Sequence, residues 1–291
     1  MTGVVIVDKP RGWTSHDVVG KLRRIYGTKR IGHGGTLDPM ATGVLPVFIG
    51  RATRAADMAS NADKQYVASL RFGVTTDTQD ITGTVLTTSP ANVTRETLER
   101  VLPEFIGETE QVPPMYSAIK KDGKKLYELA RKGIEVERPV RRITIKSIEI
   151  CGEGENGFSL RVDCSKGTYI RTLCADIGER LGCGAVMTAL RRTRAGQFDI
   201  AQAVPLEELI SRFEEGESVE KYIQPLHILF ADRPEAVILP RDETRLRNGA
   251  PFGTKLKDGE YRLFSQQGEF LALGRAQDGV MNTVKSFFEV K

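Results

Sequence analysis

The segment GHGGTLDPMATG, residues 32–43, limits what this chain can do locally more than any other stretch. It holds four glycines, one histidine, one aspartate and one proline in twelve positions. Gly34 and Gly35 permit positive φ and let backbone approach a bulky ligand. Pro39 fixes its own φ and holds Asp38 in extended geometry. The segment therefore reads as a tight loop that presents one carboxylate. Three chemistries compete for such a loop. A phosphate-cradling P-loop needs G-x-x-x-x-G-K-[ST], and no Gly-Lys-Ser/Thr occurs in the chain. An esterase oxyanion loop, suggested by HGG, needs a G-x-S-x-G elbow, which is also missing. A mount for a catalytic carboxylate survives, beside the plainer reading of Asp38 as a structural Asx turn.

The flanking sequence is mixed α and β. GVVIVDK reads as a buried strand ending in a Pro-Gly turn, with Ser15 as a helix N-cap. Val18, Val19, Leu22 and Ile25 follow at helical spacing, and Gly27 is a stop. VLPVFIG and QYVASLRFGV read as strands, RATRAADMA as a short helix and TTDTQDITG as a polar loop. Thr94 is a candidate cap for a second helix, and KKLYELARKG a short helix closed by Gly133. In VRRITIKSIEI the apolar phase slips between Ile145 and Ile148, which predicts a bulge near Lys146-Ser147. FSLRVDC alternates, SKGTYIRTLCADIGERLG turns helical and ALRRTRAGQF suits a strand. Leu206 to Phe230 reads as helical and acidic, and short strands alternate with Gly and Pro from about Ala231. The class is α+β, a mixed sheet with helices followed by a small β-rich module.

Charge narrows the partners. The net charge is only +4, yet residues 111–142 carry nine basic and four acidic side chains, a local excess of +5 that leaves −1 for the rest. Such a patch is the footprint of a polyanion or a solvated face. The four cysteines form no C-x-x-C pair and the three histidines do not cluster with them, so free thiols are expected and no metal site. The longest N-terminal apolar run, Val4–Val7, suits neither a signal peptide nor a membrane span, and a cytoplasmic protein without membrane contact is expected.

GHGGTLDPMATGVLPV closely resembles the catalytic motif of the TruB family of tRNA pseudouridine synthases. VDKPRGWTS (7–15) and KQYVASLRFGVTTDTQDITG (64–83) are similar to two further family blocks. PPMYSAIKKDGKKLYELARKG (113–133) resembles the family's RNA-gripping insertion, and CSKGTYIRTLCADIG and ALRRTRAGQF its later active-site blocks. The matches run in family order over residues 3–198.

The resemblance implies a mainly antiparallel catalytic sheet of pseudouridine synthase type over 1–231, with the insertion at about 111–142, and a PUA-like RNA-binding domain over 232–291. It implies isomerisation of uridine 55 in the tRNA T-loop, with base flipping and neither cofactor nor metal. Asp38 matches the essential aspartate, acting as nucleophile on the ribose or as base toward a sugar proton. Arg171 matches the guanidinium that pairs with it and lowers its pKa. Tyr66 matches the tyrosine that stacks on the target base and acts in proton removal at carbon 5. Tyr169 and Leu190 match active-site positions near the sugar and the base, and His33 the histidine that props the vacated space. Lys9 matches a support under the loop, counted with the substrate-binding set, and Asp80 a loop position near the RNA. Lys120, Lys121, Lys124, Lys125, Arg131, Lys132, Arg141 and Arg142 are expected on phosphates. The expected partner is the tRNA T-arm, with no obligatory protein partner and a monomeric enzyme. Two rivals stand beside this: a guide-RNA-dependent synthase, which the long basic insertion disfavours, and a tRNA-binding folding factor without essential catalysis.

Overall fold

The structure is a computed structural model that describes residues 1–117, 119–121, 123–154 and 157–289. Asp122, counted above with the acidic side chains of the insertion, lies outside the described residues. The first half of the chain runs β1 (Gly3–Lys9), α1 (Ser15–Ile25), β2 (Ile31–His33), β3 (Thr42–Ile49), α2 (Ala56–Ser60), β4 (Lys64–Phe72), β5 (Val74–Thr76), β6 (Val85–Thr88), α3 (Arg95–Val101) and β7 (Gly107–Gln111). The insertion adds β8 (Lys120–Lys121), β9 (Lys124–Lys125) and α4 (Leu126–Ala130). Then come β10 (Arg141–Gly154), β11 (Gly157–Cys164), α5 (Ile170–Arg180), β12 (Ala185–Ala195), β13 (Phe198–Asp199), β14 (Val204–Pro205) and α6 (Leu206–Glu214). The last part holds β15 (Glu235–Val237), α7 (Pro240–Arg247), β16 (Phe252–Gly253), β17 (Gly259–Phe264), β18 (Phe270–Gln277) and β19 (Val280–Ser286).

One sheet organises the first 205 residues, in the order β14-β1-β3-β12-β4-β11-β10-β7 with β2 and β13 at its flanks. Its pairs are antiparallel except β1–β14 and β3–β12. The strands sort by pattern. β4 buries Lys64, Tyr66, Ala68, Leu70 and Phe72 on one face, and β11 buries Phe158, Leu160, Val162 and Cys164. Strict alternation of this kind fits a sheet covered on one side. That side takes Ile170, Leu173 and Ile177 of α5 and Leu98 of α3. β1 and β3 are apolar throughout because both their faces are covered. Val5, Val7, Leu45 and Val47 meet α1 and α6, while Val4, Ile6, Val44 and Phe48 meet Ala52, Ala55, Phe198 and Phe230.

The two halves of the sheet join at a narrow seam. β3 pairs β12 through only Arg191↔Thr42 and Arg192↔Gly43. The glycine-rich loop enters β3 there, and β4 lies on the far side of β12. The seam thus brings residues 34–43, the start of β4 and the middle of β12 to one place. Residues 235–289 build a second, five-stranded sheet, β15-β17-β18-β19-β16, whose inner residues Phe270, Leu273 and Phe287 join the apolar cluster around Phe48 and Phe230.

Three local expectations need correction. The N-cap of α1 is Thr14, whose hydroxyl accepts from the Asp17 N–H in a capping box, and Ser15 is the first helical residue. Only Leu206–Glu214 of the acidic stretch to Phe230 forms a regular helix, and short 3₁₀ turns follow. The C-terminal module contains α7 besides its strands. The predicted bulge is present as a register shift between Ile145 and Ser147.

Gly43 holds φ at +101°, and a Cβ there would lie 2.2 Å from the carbonyl oxygen of Arg192. Backbone blocks the side chain in a region that disfavours L-residues. Gly43→Ala is expected to destabilise the protein by about 3 kcal/mol, measured by urea denaturation; an unchanged midpoint would contradict the tight seam.

Candidate active site

The loop from Gly34 to Ala41 contributes few side-chain contacts of its own, so its shape depends on where its backbone groups bond. The carbonyls of residues 35–39 and the N–H groups of Gly34, Leu37 and Ala41 are all matched. The Gly34 N–H donates to Pro46 O at 2.9 Å. Gly35 O and Thr36 O accept from Arg192 Nη2 and Nη1 at 3.1 and 3.5 Å. Leu37 is held at both ends by Ser15, whose Oγ accepts the Leu37 N–H at 2.8 Å and donates to Leu37 O at 3.2 Å. Asp38 O accepts from the Ala41 N–H at 3.0 Å. Pro39 O accepts from the Gly12 N–H at 2.7 Å and from Lys9 Nζ at 3.4 Å. Leu37, Met40 and Ala41 face the core with Tyr66 and Leu190. The backbone is pinned from below, and the Asp38 side chain is left facing the cleft.

The carboxylate meets a buried cation. Arg171, on the first turn of α5, is 5% exposed. Its Nε lies 3.1 Å from Asp38 Oδ2. Nη1 reaches Asp80 Oδ2 at 3.5 Å and donates to Thr78 O at 3.3 Å, and Nη2 donates to Tyr116 O at 2.8 Å. Three distant segments therefore converge on one guanidinium. A solvated residue at a helix start, which residue type alone suggests, is not what the fold makes of it.

Asp80 differs from expectation. It is 4% exposed, and its Oδ1 accepts from the Thr82 N–H at 2.9 Å and from the hydroxyls of Thr78 and Thr82. It braces Arg171 from inside the protein. Lys9 likewise lies under the loop and not in the cleft. It is fully buried, and its ammonium donates to Trp13 O at 2.6 Å, Pro10 O at 2.9 Å and Pro39 O. Burial pushes its pKa down to about 8, against a smaller upward pull from Asp38.

Tyr66 and Leu190 form one apolar wall. Leu190 pairs with Ala68, Arg192 pairs with Tyr66, and both side chains are nearly buried within the cluster that contains Leu37 and Met40. Burial raises the Tyr66 phenol above its ordinary pKa, and the Arg192 charge pulls it back in part. His33 is half-buried on β2, and its Nδ1 is buried without a partner in the protein. Burial, then Arg192, lowers its pKa, so it is a neutral ring at pH 7. Tyr169 is half-buried at the N-cap of α5, two residues before Arg171.

Asp38 itself is more than a third exposed, at 37% of its side chain, but protein surrounds the carboxylate on most sides of the cleft. This desolvation raises its pKa; Arg171 lowers it, Asp80 raises it and Lys9 lowers it. The net direction is upward, so the pull of Arg171 does not by itself set the titration. The site is a desolvated carboxylate, a fixed cation, a phenol and an apolar wall with a neutral imidazole nearby. It suits attack on, or deprotonation of, a flat substrate held against the wall. Among the described residues no group of three or more His, Cys, Asp or Glu side chains could hold a metal ion.

Of the eight basic residues expected on phosphates, Lys120, Lys124, Arg131, Lys132, Arg141 and Arg142 are exposed. Lys121 and Lys125 are half-buried: Lys121 Nζ donates to Glu137 O at 2.7 Å, and Lys125 lies over the Tyr127 ring, 5.3 Å from its centroid. Residue-type reasoning missed Ser15 as a loop anchor, and Arg192. The signal for Arg192 was its phase: it stands two residues after Leu190 on the same side of a strand.

Comparison with known proteins gives a consistent picture. The TruB family pseudouridylate synthase (N terminal domain) matches residues 23–170, and the tRNA pseudouridylate synthase B C-terminal domain matches 171–231. A tRNA pseudouridine synthase B of Azoarcus sp. (strain BH72) is 47% identical over 279 residues, 95% of this chain and 92% of that one. One of Clostridium kluyveri is 43% identical over 293 residues, 99% of this chain and 100% of that one. Among solved structures, a chain of a Cbf5-Nop10-Gar1 complex aligns with a TM-score of 0.75 at 29% identity, covering 99% of this chain and 85% of that one. A chain of an H/ACA RNP bound to a substrate RNA containing 2'-deoxyuridine gives 0.74 at 27%, covering 99% and 86%.

The electrostatics of the cleft are testable. The Asp38 carboxyl, followed by carbon-13 NMR, is expected to titrate with a midpoint above 3.8, and Arg171→Met to raise it further because the guanidinium favours the charged form. A midpoint at or below 3.8 would refute the desolvated site. The linkage sign follows: the folded state binds the Asp38 proton more tightly than the unfolded chain does, so ionisation costs stability above that midpoint. Asp38→Asn is therefore expected to shift the melting temperature little at pH 7, because relief of the carboxylate's desolvation is opposed by leaving Arg171 with Asp80 alone of its two carboxylates.

Proposed function

The chain belongs to the TruB family of pseudouridine synthases, and on that premise we propose that it converts uridine 55 in the T-loop of tRNA to pseudouridine without a guide RNA. It is an isomerase that acts on tRNA. The observation that carries the finer reading is the Asp38–Arg171 pair at 3.1 Å, set on an anchored turn at the foot of the Tyr66–Leu190 wall.

The reaction breaks the bond between uracil N1 and ribose C1′, turns the base and joins C5 to C1′; the C5 proton then leaves. Of the two carboxylates on Arg171, Asp38 is the one with a partly exposed side chain, since Asp80 is turned into the protein. As nucleophile it would attack the ribose and be displaced when the new bond forms. As base it would take a sugar proton to give a glycal and return it. Either route uses an ionised carboxylate in a water-poor cleft, held in place before substrate arrives. Arg171 keeps its orientation. Tyr66 stacks on the base and takes the C5 proton; burial disfavours the phenolate this needs, and the Arg192 charge behind it offsets that in part.

The target base is stacked in the tRNA and must be extruded, at a cost of roughly a few kcal/mol. Stacking on Tyr66 and Leu190 offsets part of this. His33, neutral and with an unpartnered Nδ1, suits a role as prop in the vacated space. The exposed cations of the insertion suit phosphate contacts that act without sequence information. Independence from a guide is supported by this insertion and by the higher identity to the tRNA pseudouridine synthase B chains, 43–47%, than to the ribonucleoprotein chains, 27–29%.

Asp38→Asn is expected to abolish product while tRNA affinity stays within about tenfold, or ~1.4 kcal/mol. Product is read by derivatising pseudouridine and mapping reverse-transcription stops; a single T-loop stop with the parent protein supports both site and reaction. Product from the mutant would overturn the role of Asp38. A purified protein inactive on a naked T-arm stem-loop would overturn guide independence. Changing Lys120, Lys124, Arg131 and Lys132 together to Ala should weaken tRNA binding and flatten its dependence on salt; an unchanged slope would remove the insertion from the phosphates.

A further inference from the structure

We propose that Gln111 is a positioning residue for this reaction: its side-chain amide fixes the backbone of Tyr169 and, through the start of α5, the aim of Arg171 at Asp38. The proposal rests on the reading of Asp38–Arg171 as the working pair.

Gln111 ends β7, the last strand of the large sheet. A polar residue at the end of an edge strand ordinarily meets water, yet Gln111 is 5% exposed. Both ends of its amide are used on one residue. Gln111 Nε2 donates to Tyr169 O at 3.0 Å, and the Tyr169 N–H donates to Gln111 Oε1 at 2.8 Å. This two-point grip mimics one rung of antiparallel pairing and fixes both position and rotation of the gripped residue.

Tyr169 is where such a grip matters. It is the N-cap of α5, with no side-chain cap of its own, and its carbonyl also accepts the Leu173 N–H at 3.1 Å. Upstream the chain is tied by the Ser165 N–H to Thr144 O at 2.8 Å and by the Thr168 hydroxyl to Ser165 O at 3.0 Å, while the Gln111 bonds act on Tyr169 itself. Arg171 follows two residues later on the first turn, where a shift of the helix start moves the guanidinium with it. A second tie comes from the same region: Arg171 Nη2 donates to Tyr116 O, five residues beyond Gln111. Gln111 also pairs with Arg141, so it stands at the root from which residues 112–140 leave the sheet. The base of the basic insertion and the residue that starts α5 thus share one pair of hydrogen bonds, 58 residues apart in sequence. A simple structural glutamine would satisfy scattered backbone groups; this one places both bonds on the residue that launches the helix of Arg171.

The test uses the full-length enzyme, the T-arm stem-loop and two variants. Gln111→Met keeps length and volume but loses both bonds; Gln111→Glu keeps the acceptor for the Tyr169 N–H and loses the donor to its carbonyl. Gln111→Met is expected to lower kcat at least tenfold with KM within threefold, and Gln111→Glu to fall between it and the parent. The acid limb of kcat should move to higher pH in Gln111→Met, since a misaimed Arg171 no longer holds the Asp38 pKa down. Should Gln111→Met melt below the assay temperature, Gln111→Glu carries both measurements. A kcat within twofold of the parent, a change in KM alone, or a lost kcat with an unmoved acid limb would each overturn the proposal. Asp38→Asn, run in parallel, separates the premise: an active Asp38→Asn refutes the working pair, whereas an inactive Asp38→Asn with normal Gln111 variants refutes only the role of Gln111.

Discussion

The site depends on one guanidinium taken out of water. Arg171 keeps 6% of its side chain exposed and is surrounded by two carboxylates and two carbonyl oxygens. Burying a cation is costly unless every donor finds an acceptor, and removing one partner leaves the rest uncompensated. Its acceptors come from residues 38, 78–80 and 116, and none is a neighbour in sequence. The requirement to satisfy it therefore ties the carboxylate loop, the threonine-rich turn and the insertion root to α5. Asp80 is a brace in this scheme. Without it Arg171 would bind Asp38 as its only counter-charge and the carboxylate would have less freedom to react.

A second, quieter constraint acts on the loop. A glycine-rich segment loses more conformational entropy on ordering than other chain does, so its order must be bound from outside. Ser15, Arg192, Lys9 and the Gly12 N–H supply that order by bonding its backbone. Arg192 and Lys9 are buried cations whose hydrogen-bonding partners are carbonyls and not carboxylates. Neutral acceptors let these two anchors hold the loop while leaving positive potential beside the cleft, where a polyanionic substrate must come. Gly34 and Gly43 are then explained by protein packed where a Cβ would lie, Phe48 and Ala59 at the first and the Arg192 carbonyl at the second, and Pro39 as the lock on Asp38.

Much of the architecture was legible because it is local. The alternation in β4 and β11, the phase slip at Lys146-Ser147 and the stops at Gly27 and Gly133 are each written within about ten residues. What failed is non-local. Ser15 reads as a cap because Thr14 and Ser15 have nearly the same capping preference, and the winner was decided by Leu37, which needs the Ser15 hydroxyl. Asp80 reads as a surface loop residue until the fold brings Arg171 to it. The residues after Glu214 keep an acidic helical look but bury Leu226 and Phe230 through short turns against the core. Motif resemblance singled out Asp38, Tyr66 and Arg171, and the fold brings Asp38 to Arg171; the resemblance could not say which of the remaining residues are exposed beside them and which lie beneath.

Grip and chemistry are separated in space and in kind. The insertion carries exposed cations, which screen with a Debye length of about 8 Å at physiological salt. The cleft carries buried groups matched at short range, which salt screens much less. Raising ionic strength should thus weaken capture of the tRNA well before it disturbs the pair that reacts. Among the described residues the two regions meet through hydrogen bonds at the insertion root, those of Gln111 to Tyr169, of Arg171 to Tyr116 and of the Tyr116 hydroxyl to Asp77. Such bonds are short-ranged and directional, so what passes between grip and site is position and not charge. On the proposed reading, that division would let the insertion hold an RNA backbone without regard to its sequence, while the site keeps its own short-range geometry.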